Sequence, residues 1–369
     1  QSGNCPRRLR RLAGCWKSPE ALCSHRVGAQ RGLFPPSEYV PRWRRWTADR
    51  PCVSPGRKRR GSAAAARYSG EVLDPRLLYT VDSQVWETLG GHEPVLIHTL
   101  DGYIDAGSVT HSTGRYLLEQ CEHEVLVEFD HDQLHDYRSR RPSMTFDTNH
   151  WAAMHDYSLV IHKLVDANGK PFLLLVGPEP DTQWNRTCAA ILGIAGRLHV
   201  SEIVTVSGVP MAVPHTRPTL VTAHATDPSV VTGNPMWIDR VQLPGSFSHV
   251  LEFRAGEAGF LGRGFVGHVP HYLAQTAFPQ ATAAVIDRIS EVADLVIPMA
   301  ALVERVTDNL ETIASETDDD SEFPAVLTAL EEQYDQLRES GASAVPSADE
   351  IGAAVEQFLA EQDPPDFRR

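Results

Sequence analysis

Where an apolar run reading FLLLVG stops, the chain continues Gly177-Pro-Glu-Pro-Asp-Thr-Gln-Trp184, two carboxylates set in a proline-stiffened turn. A carboxylate fixed there can act as an acid, a base or a cation partner. Open α/β sheets bind ligands outside the carboxyl ends of their strands, and four strand exits in this chain carry polar residues. These are Asp101 with Asp105, Glu179 with Asp181, Ser207 with Gly208, and His224 with Thr226 and Asp227. Gly102 and Gly107 permit tight backbone, and a helix opening at 106–108 would present free N–H groups to a phosphate or carboxylate. Asp105 and Asp181 are equally placed to cap the helices that follow them. His215 and Arg217, in the proline-bracketed VPHTRP, are set to contact an anion. The cleft candidates are therefore Asp101, Asp105, Gly107, Glu179, Asp181, Gly208, His215 and Arg217, with no catalytic role assigned to any.

Other motifs fail on context. Gly262-Arg-Gly-Phe-Val-Gly267 has dinucleotide-binding spacing, but HVPHYL follows it where a helix should open. Gly169-Lys170 has Leu164 where a phosphate-cradling loop needs glycine, and no GxSxG nucleophile elbow occurs. His268 and His271 are three apart in an extended run and point to opposite faces; His131 and His135 lie in a polar loop. Cys188 falls in an apolar helix and Cys121 ends one, so both read as inert thiols. No metal and no cofactor are expected.

The elements that would position these residues alternate. Strands are predicted at 95–100, 123–130, 158–166, 172–177, 202–209, 220–227 and 249–255, and helices at 107–120 and 182–197. Asn168-Gly169 marks a hairpin between two of the strands. Runs as continuously apolar as LLLV and IVTV belong to strands covered on both faces. The fold class is therefore α/β: a mostly parallel twisted central sheet with helices on both faces, followed by a C-terminal all-helical part. Past 275 the pattern is helical, with stripes at Val285, Ile289, Val292 and Val296, then Leu302, Val306, Leu310 and Ile313. Pro298 stands near a helix start, and a third helix carries Phe323, Val326, Leu330, Tyr334 and Leu337. A fourth begins at Ser347, with Glu350 completing a capping box.

Charge divides the chain. Residues 1–67 hold 16 Lys and Arg against 3 Asp and Glu, net +13, and the remainder holds 18 against 45, net −27. An acidic body repels nucleic acid and anionic membrane. The basic segment, with RKRR at 57–60 and four of the six cysteines, has no apolar periodicity and reads as a disordered or non-native extension, or an arginine-rich arm. No run approaches the ~20 apolar residues of a membrane span, so the expected location is the cytoplasm. Three regions follow: 1–68, an α/β domain at 74–275, and helices at 276–362.

DGYIDAG at 101–107, GPEPDTQW at 177–184 and GHVPHYL at 267–273 together resemble the proteasome assembly chaperone 2 family of actinobacterial proteins, over roughly residues 74–340. The resemblance implies a fold similar to purine nucleoside phosphorylases. It also implies protein partners, since the family's eukaryotic namesakes act as chaperones in assembly of the proteasome α-ring. The expected function is a non-enzymatic scaffold or assembly factor, homo-oligomeric, with a trimer implied by analogy with that fold. The alternative is a nucleoside- or phosphate-binding enzyme working near Asp105, Glu179, His215 and Arg217.

Overall fold

The computed structural model describes residues 73–231, 234, 242–317 and 323–339. Its strands are β1 (Tyr79–Val81), β2 (Val95–Asp101), β3 (Glu122–Phe129), β4 (Ser143–Asp147), β5 (His150–His155), β6 (Val160–Val165), β7 (Pro171–Pro178), β8 (Glu202–Met211), β9 (Val221–Ala225) and β10 (Gly262–Pro270). Its helices are α1 (Ser83–Glu87), α2 (Val109–Gln120), α3 (Trp184–Arg197), α4 (Phe247–Ala258), α5 (Pro279–Ala293), α6 (Ala300–Thr317) and α7 (Phe323–Glu339). One sheet has the order β1-β3-β6-β7-β2-β8-β10-β9, and β4 and β5 form a separate two-stranded hairpin. Strands β7, β2, β8 and β10 are mutually parallel neighbours and β3 runs the same way, while β1, β6 and β9 run against them.

Both faces of the central strands are covered, as their unbroken apolar runs require. On β2, Leu96 and Leu100 join a core with Ile191 of α3 and Phe247 and Leu251 of α4. Ile97 points the other way, into a core with Tyr116 of α2 and Val285 and Ile289 of α5. The Asn168-Gly169 hairpin forms as read: β6 and β7 are antiparallel, and Gly169 takes φ +83°. Helix α5 opens with Pro279 in its first turn, where the missing N–H costs nothing.

Two readings of the sequence change. Residues 249–255, expected as a strand, lie within α4. The buried Phe247, Leu251 and Ala255 recur every four residues, and the apparent alternation across 249–255 lost to that longer stripe. The Ser246 hydroxyl accepts the His249 N–H at the start, and Gly259 ends the helix in the left-handed region at φ +87°. The other is an omission: residues 262–270, absent from the expected strands, form β10, a central strand despite three glycines and a proline, paired with β8 along its whole length and with β9 over Arg263–Gly267. The helix beginning at Ser347 and the basic segment at 1–68 lie outside the described residues. Among the described residues no helix is long and apolar enough to cross a membrane.

Candidate functional site

A cleft of about 320 Å³ opens at the carboxyl ends of β2 and β7, alongside α2. Helix α2 lies directly on β2 because Gly114 has no side chain; a Cβ there would sit 2.2 Å from the Thr99 hydroxyl. At the end of β7, Gly177 takes φ +131°, and a Cβ would meet the Ser158 carbonyl at 2.1 Å, so only glycine lets the chain pass. The floor is Leu118, Val176 and the bare backbone of these glycines, and the rim carries Asp101, His111, Arg115 and Glu119. Asp101 pairs with His111 Nδ1 at 3.1 Å. Glu119 receives Arg305 of α6 at 2.6 Å and Arg115 at 2.7 Å, and these guanidiniums hold its carboxyl below the usual range. Beneath them Thr99 is 3% exposed, and its hydroxyl has no hydrogen-bond partner.

Of the residues picked out from sequence, Asp101 lines this cleft. The others are engaged by different parts of the fold. Asp105 accepts the N–H groups of Thr110 at 2.7 Å and His111 at 3.2 Å, closing the N-terminus of α2. Burial pushes its carboxyl up, against the pull of those two hydrogen bonds. Gly107, at φ +65°, is wedged against Val269 and Phe278, and a Cβ on Gly208 would lie 2.3 Å from the Ala106 carbonyl. The strings at 101–107 and 267–273 thus meet through glycines that allow close backbone packing, with β8 between β2 and β10. Glu179 accepts the Phe247 N–H at 2.9 Å and packs against Gly102.

Asp181 does not cap α3. That helix starts at Trp184, after Gln183 in the left-handed region. The Asp181 carboxylate turns instead to the 131–140 loop, accepting the Asp136 N–H at 2.8 Å and pairing with Arg140 at 3.1 Å. Arg217 does meet carboxylates, but those of α7, and His215 packs against Tyr272 and Phe323 instead. Arg217 pairs with Asp335 at 2.7 Å and Glu331 at 3.2 Å, and Tyr334 donates to the Pro218 carbonyl at 2.8 Å. His215 Nδ1 lies 2.8 Å from the Tyr272 hydroxyl, its ring stacked on Phe323. Burial drives the imidazole down and the Tyr272 phenol up to about 12.

Two features escaped sequence reasoning. The first is a polar row across four adjacent strands under α4. The registers place His98 beside Thr205, Thr205 beside Gly264, and Gly264 beside His224. His98 Nε2 is 2.9 Å from the Thr205 hydroxyl, and His224 Nδ1 is 2.8 Å from Glu252 of α4. The His224 ring lies over Gly264, where a Cβ would fall 2.0 Å from Cε1. Burial raises the Glu252 carboxyl, but the bonds from His224 and Thr205 outweigh it and hold it below its ordinary value. Complete burial takes His98 down to about 4. A histidine inside the apolar VLIHTL run was the signal; Glu252, the partner of His224 in the same row, sat in the segment misread as a strand.

The second is the β4–β5 hairpin, exposed at every residue. Met144 pairs opposite Met154 and Phe146 opposite Trp151, so four large apolar side chains share one face. Cys121 and Cys188 are buried, their thiols pushed up to about 11 and about 12 by desolvation. Among the described residues no group of three or more ligating side chains is arranged to hold a metal.

A Mycobacterium tuberculosis protein of unknown function, Rv2714, is 37% identical, with a TM-score of 0.66 over 72% of this chain and 93% of its own. A Corynebacterium glutamicum protein of unknown function is 33% identical, with a TM-score of 0.66 over 72% and 99%. The Mycobacterium tuberculosis proteasome-assembly chaperone homologue Rv2125 shares the fold at 23% identity, with a TM-score of 0.59 over 64% and 99%. No curated protein matches. The family model described as the PAC2 family matches residues 99–316, more than half of the sequence and everything from the end of β2 into α6, and the chain belongs to that family.

Proposed function

We propose that this protein is a non-catalytic scaffold for protein assembly that works as a homo-oligomer. The observation that carries the reading is the engagement of Asp105, Glu179, His215 and Arg217 by three different helices, α2, α4 and α7. A strand-end active site needs such groups converging on one reacting atom. Here the two carboxylates close the starts of α2 and α4, while His215 and Arg217 tie the loop between β8 and β9 to α7. The family's eukaryotic namesakes assist proteasome α-ring assembly, which supports protein partners, proteasome-related by analogy.

The exposed apolar hairpin face supports self-association, and the analogy with phosphorylase-like folds supports three copies. Light scattering on the full chain at micromolar concentration checks this; a single-chain mass of 40.8 kDa sinks it.

The alternative enzyme would use the cleft beside α2, where Asp101 and His111 meet. Thermal unfolding of the full chain against nucleosides, bases, nucleotides and inorganic phosphate separates the two. A ligand at about 100 times its Kd adds about 2.7 kcal/mol. The scaffold reading expects no selective shift across the panel; one selective shift overturns it.

A further inference from the structure

We propose that the outer edge of β9 is a docking surface for an extended strand of a partner polypeptide, held closed in this structure by the side chain of Asn234. This rests on the scaffold reading and names a surface on which a partner is held.

The eight-stranded sheet has two edges, β1 and β9. Strand β1 is three residues long, and very short edge strands are poor templates for pairing. Strand β9 offers five residues, paired with β10 in one unbroken register. Exposed edges are commonly protected by a bulge, a lysine or a proline, and the Val-Thr-Ala-His-Ala of β9 has none of these. Leu220 and Thr226 direct their backbone bonds toward β10. By antiparallel alternation, Val221, Ala223 and Ala225 turn their N–H and C=O groups outward.

The middle residue of those three is covered by a side chain. The Ala223 N–H donates to Asn234 Oδ1 at 2.7 Å, and Asn234 Nδ2 donates to the Ala223 carbonyl at 2.5 Å. A carboxamide carries the donor and acceptor of a peptide group, so Asn234 stands where one residue of a neighbouring strand would. On either side, the outward groups of Val221 and Ala225 make no hydrogen bond among the described residues. An arriving strand replaces both bonds of Asn234 and adds those at Val221 and Ala225, which is the main-chain recognition of strand addition.

The surroundings define the strand that fits. On one face of the sheet Val221 and Ala223 pack with Val231 in the core shared with α5. On the other lie Thr222 and the His224 side chain, which is 37% exposed. A partner segment alternating apolar and polar residues presents each kind to its own face.

Hydrogen exchange on the full-length chain tests the closure. The Ala223 amide is expected to exchange slowly beside fast Val221 and Ala225, and Asn234→Ala is expected to make it as fast as they are. Docking is read by anisotropy of a labelled peptide of about seven alternating threonines and valines, an ordinary strand length, against the same peptide N-methylated at alternate residues. Asn234→Ala is expected to bind the unmethylated peptide about tenfold more tightly than the wild type, since two hydrogen bonds no longer compete, and the bound peptide is expected to slow exchange at Val221 and Ala225. Slow exchange at Ala223 in Asn234→Ala, uptake no tighter than by the wild type, or equal uptake of the methylated peptide each overturns the proposal. Self-association of Asn234→Ala that excludes the peptide shows a second copy taking the edge, and overturns it as well. An oligomeric wild-type chain that fails these tests keeps the scaffold reading and loses the docking surface; a monomeric one that passes them does the reverse.

Discussion

The Glu179 carboxylate accepts the backbone N–H of Phe247 at 2.9 Å, so the Pro-Glu-Pro turn after β7 closes the N-terminus of α4 from 68 residues away. The prolines hold the carboxylate still, and the helix dipole rewards a negative charge at that end. A residue with the look of a catalytic acid is thereby given a structural task.

Glu179→Ala should then lower unfolding free energy by about 1–2 kcal/mol, as loss of a helix cap does. Glu179→Gln keeps an acceptor but loses the charge and should cost less. Urea denaturation of both variants checks the order. A Gln variant as damaged as the Ala variant would show that charge, not the bond, matters.

The His224 ring occupies the space a side chain on Gly264 would fill. Gly264→Ala should displace the ring, break its contact with Glu252 and cost about 2–3 kcal/mol by overpacking. In a His224→Ala background the same substitution should cost far less, because the obstructing ring is gone. Equal penalties in the two backgrounds would refute the account.

Acid should destabilise the fold before its carboxylates titrate. His98 is fully buried and driven down to about 4 by desolvation, below the 6.5 of an unfolded histidine. Between those values the unfolded chain binds the extra proton, so stability is full above pH 6.5 and falls as pH drops toward 4. Near pH 4 the loss from His98 is about 3 kcal/mol. His162 and His268, both pushed to about 4 by burial, act in the same direction. Urea midpoints from pH 7 to 4.5 measure the slope, and His98→Gln should flatten it.

Helix α7 is held by Arg217 at its charged edge and by the buried Leu330 and Tyr334. The Arg217 pairs are only partly buried, so salt still screens them. Arg217→Ala should therefore speed hydrogen exchange in α7 only modestly, and added salt should mimic it in the wild type. Tyr334→Ala removes a large buried ring and should cost about 3 kcal/mol of local stability. Exchange that rises in α7 and also throughout β8 would show that the helix does not open as a local unit.

What the chain determined by itself was local. The apolar runs at 95–100 and 172–177, the Asn-Gly turn at 168–169 and the four-residue stripes past 279 each carry their structure within a few residues, because strand and helix periodicity and turn chemistry are short-range. The family resemblance was legible for the same reason: Gly107 and the string ending in Leu273 are constrained by backbone packing that tolerates few residue types. Partnership was not legible. Asp105 capping α2 spans five residues, but Glu179 reaches Phe247, Arg217 reaches Asp335, and His98, Thr205 and Glu252 converge from three elements, one of them misread. A carboxylate's role depends on which N–H or guanidinium the folded sheet brings to it, and no spacing along the chain encodes that distance. The same holds for Trp151, whose exposure follows from what the rest of the fold leaves uncovered.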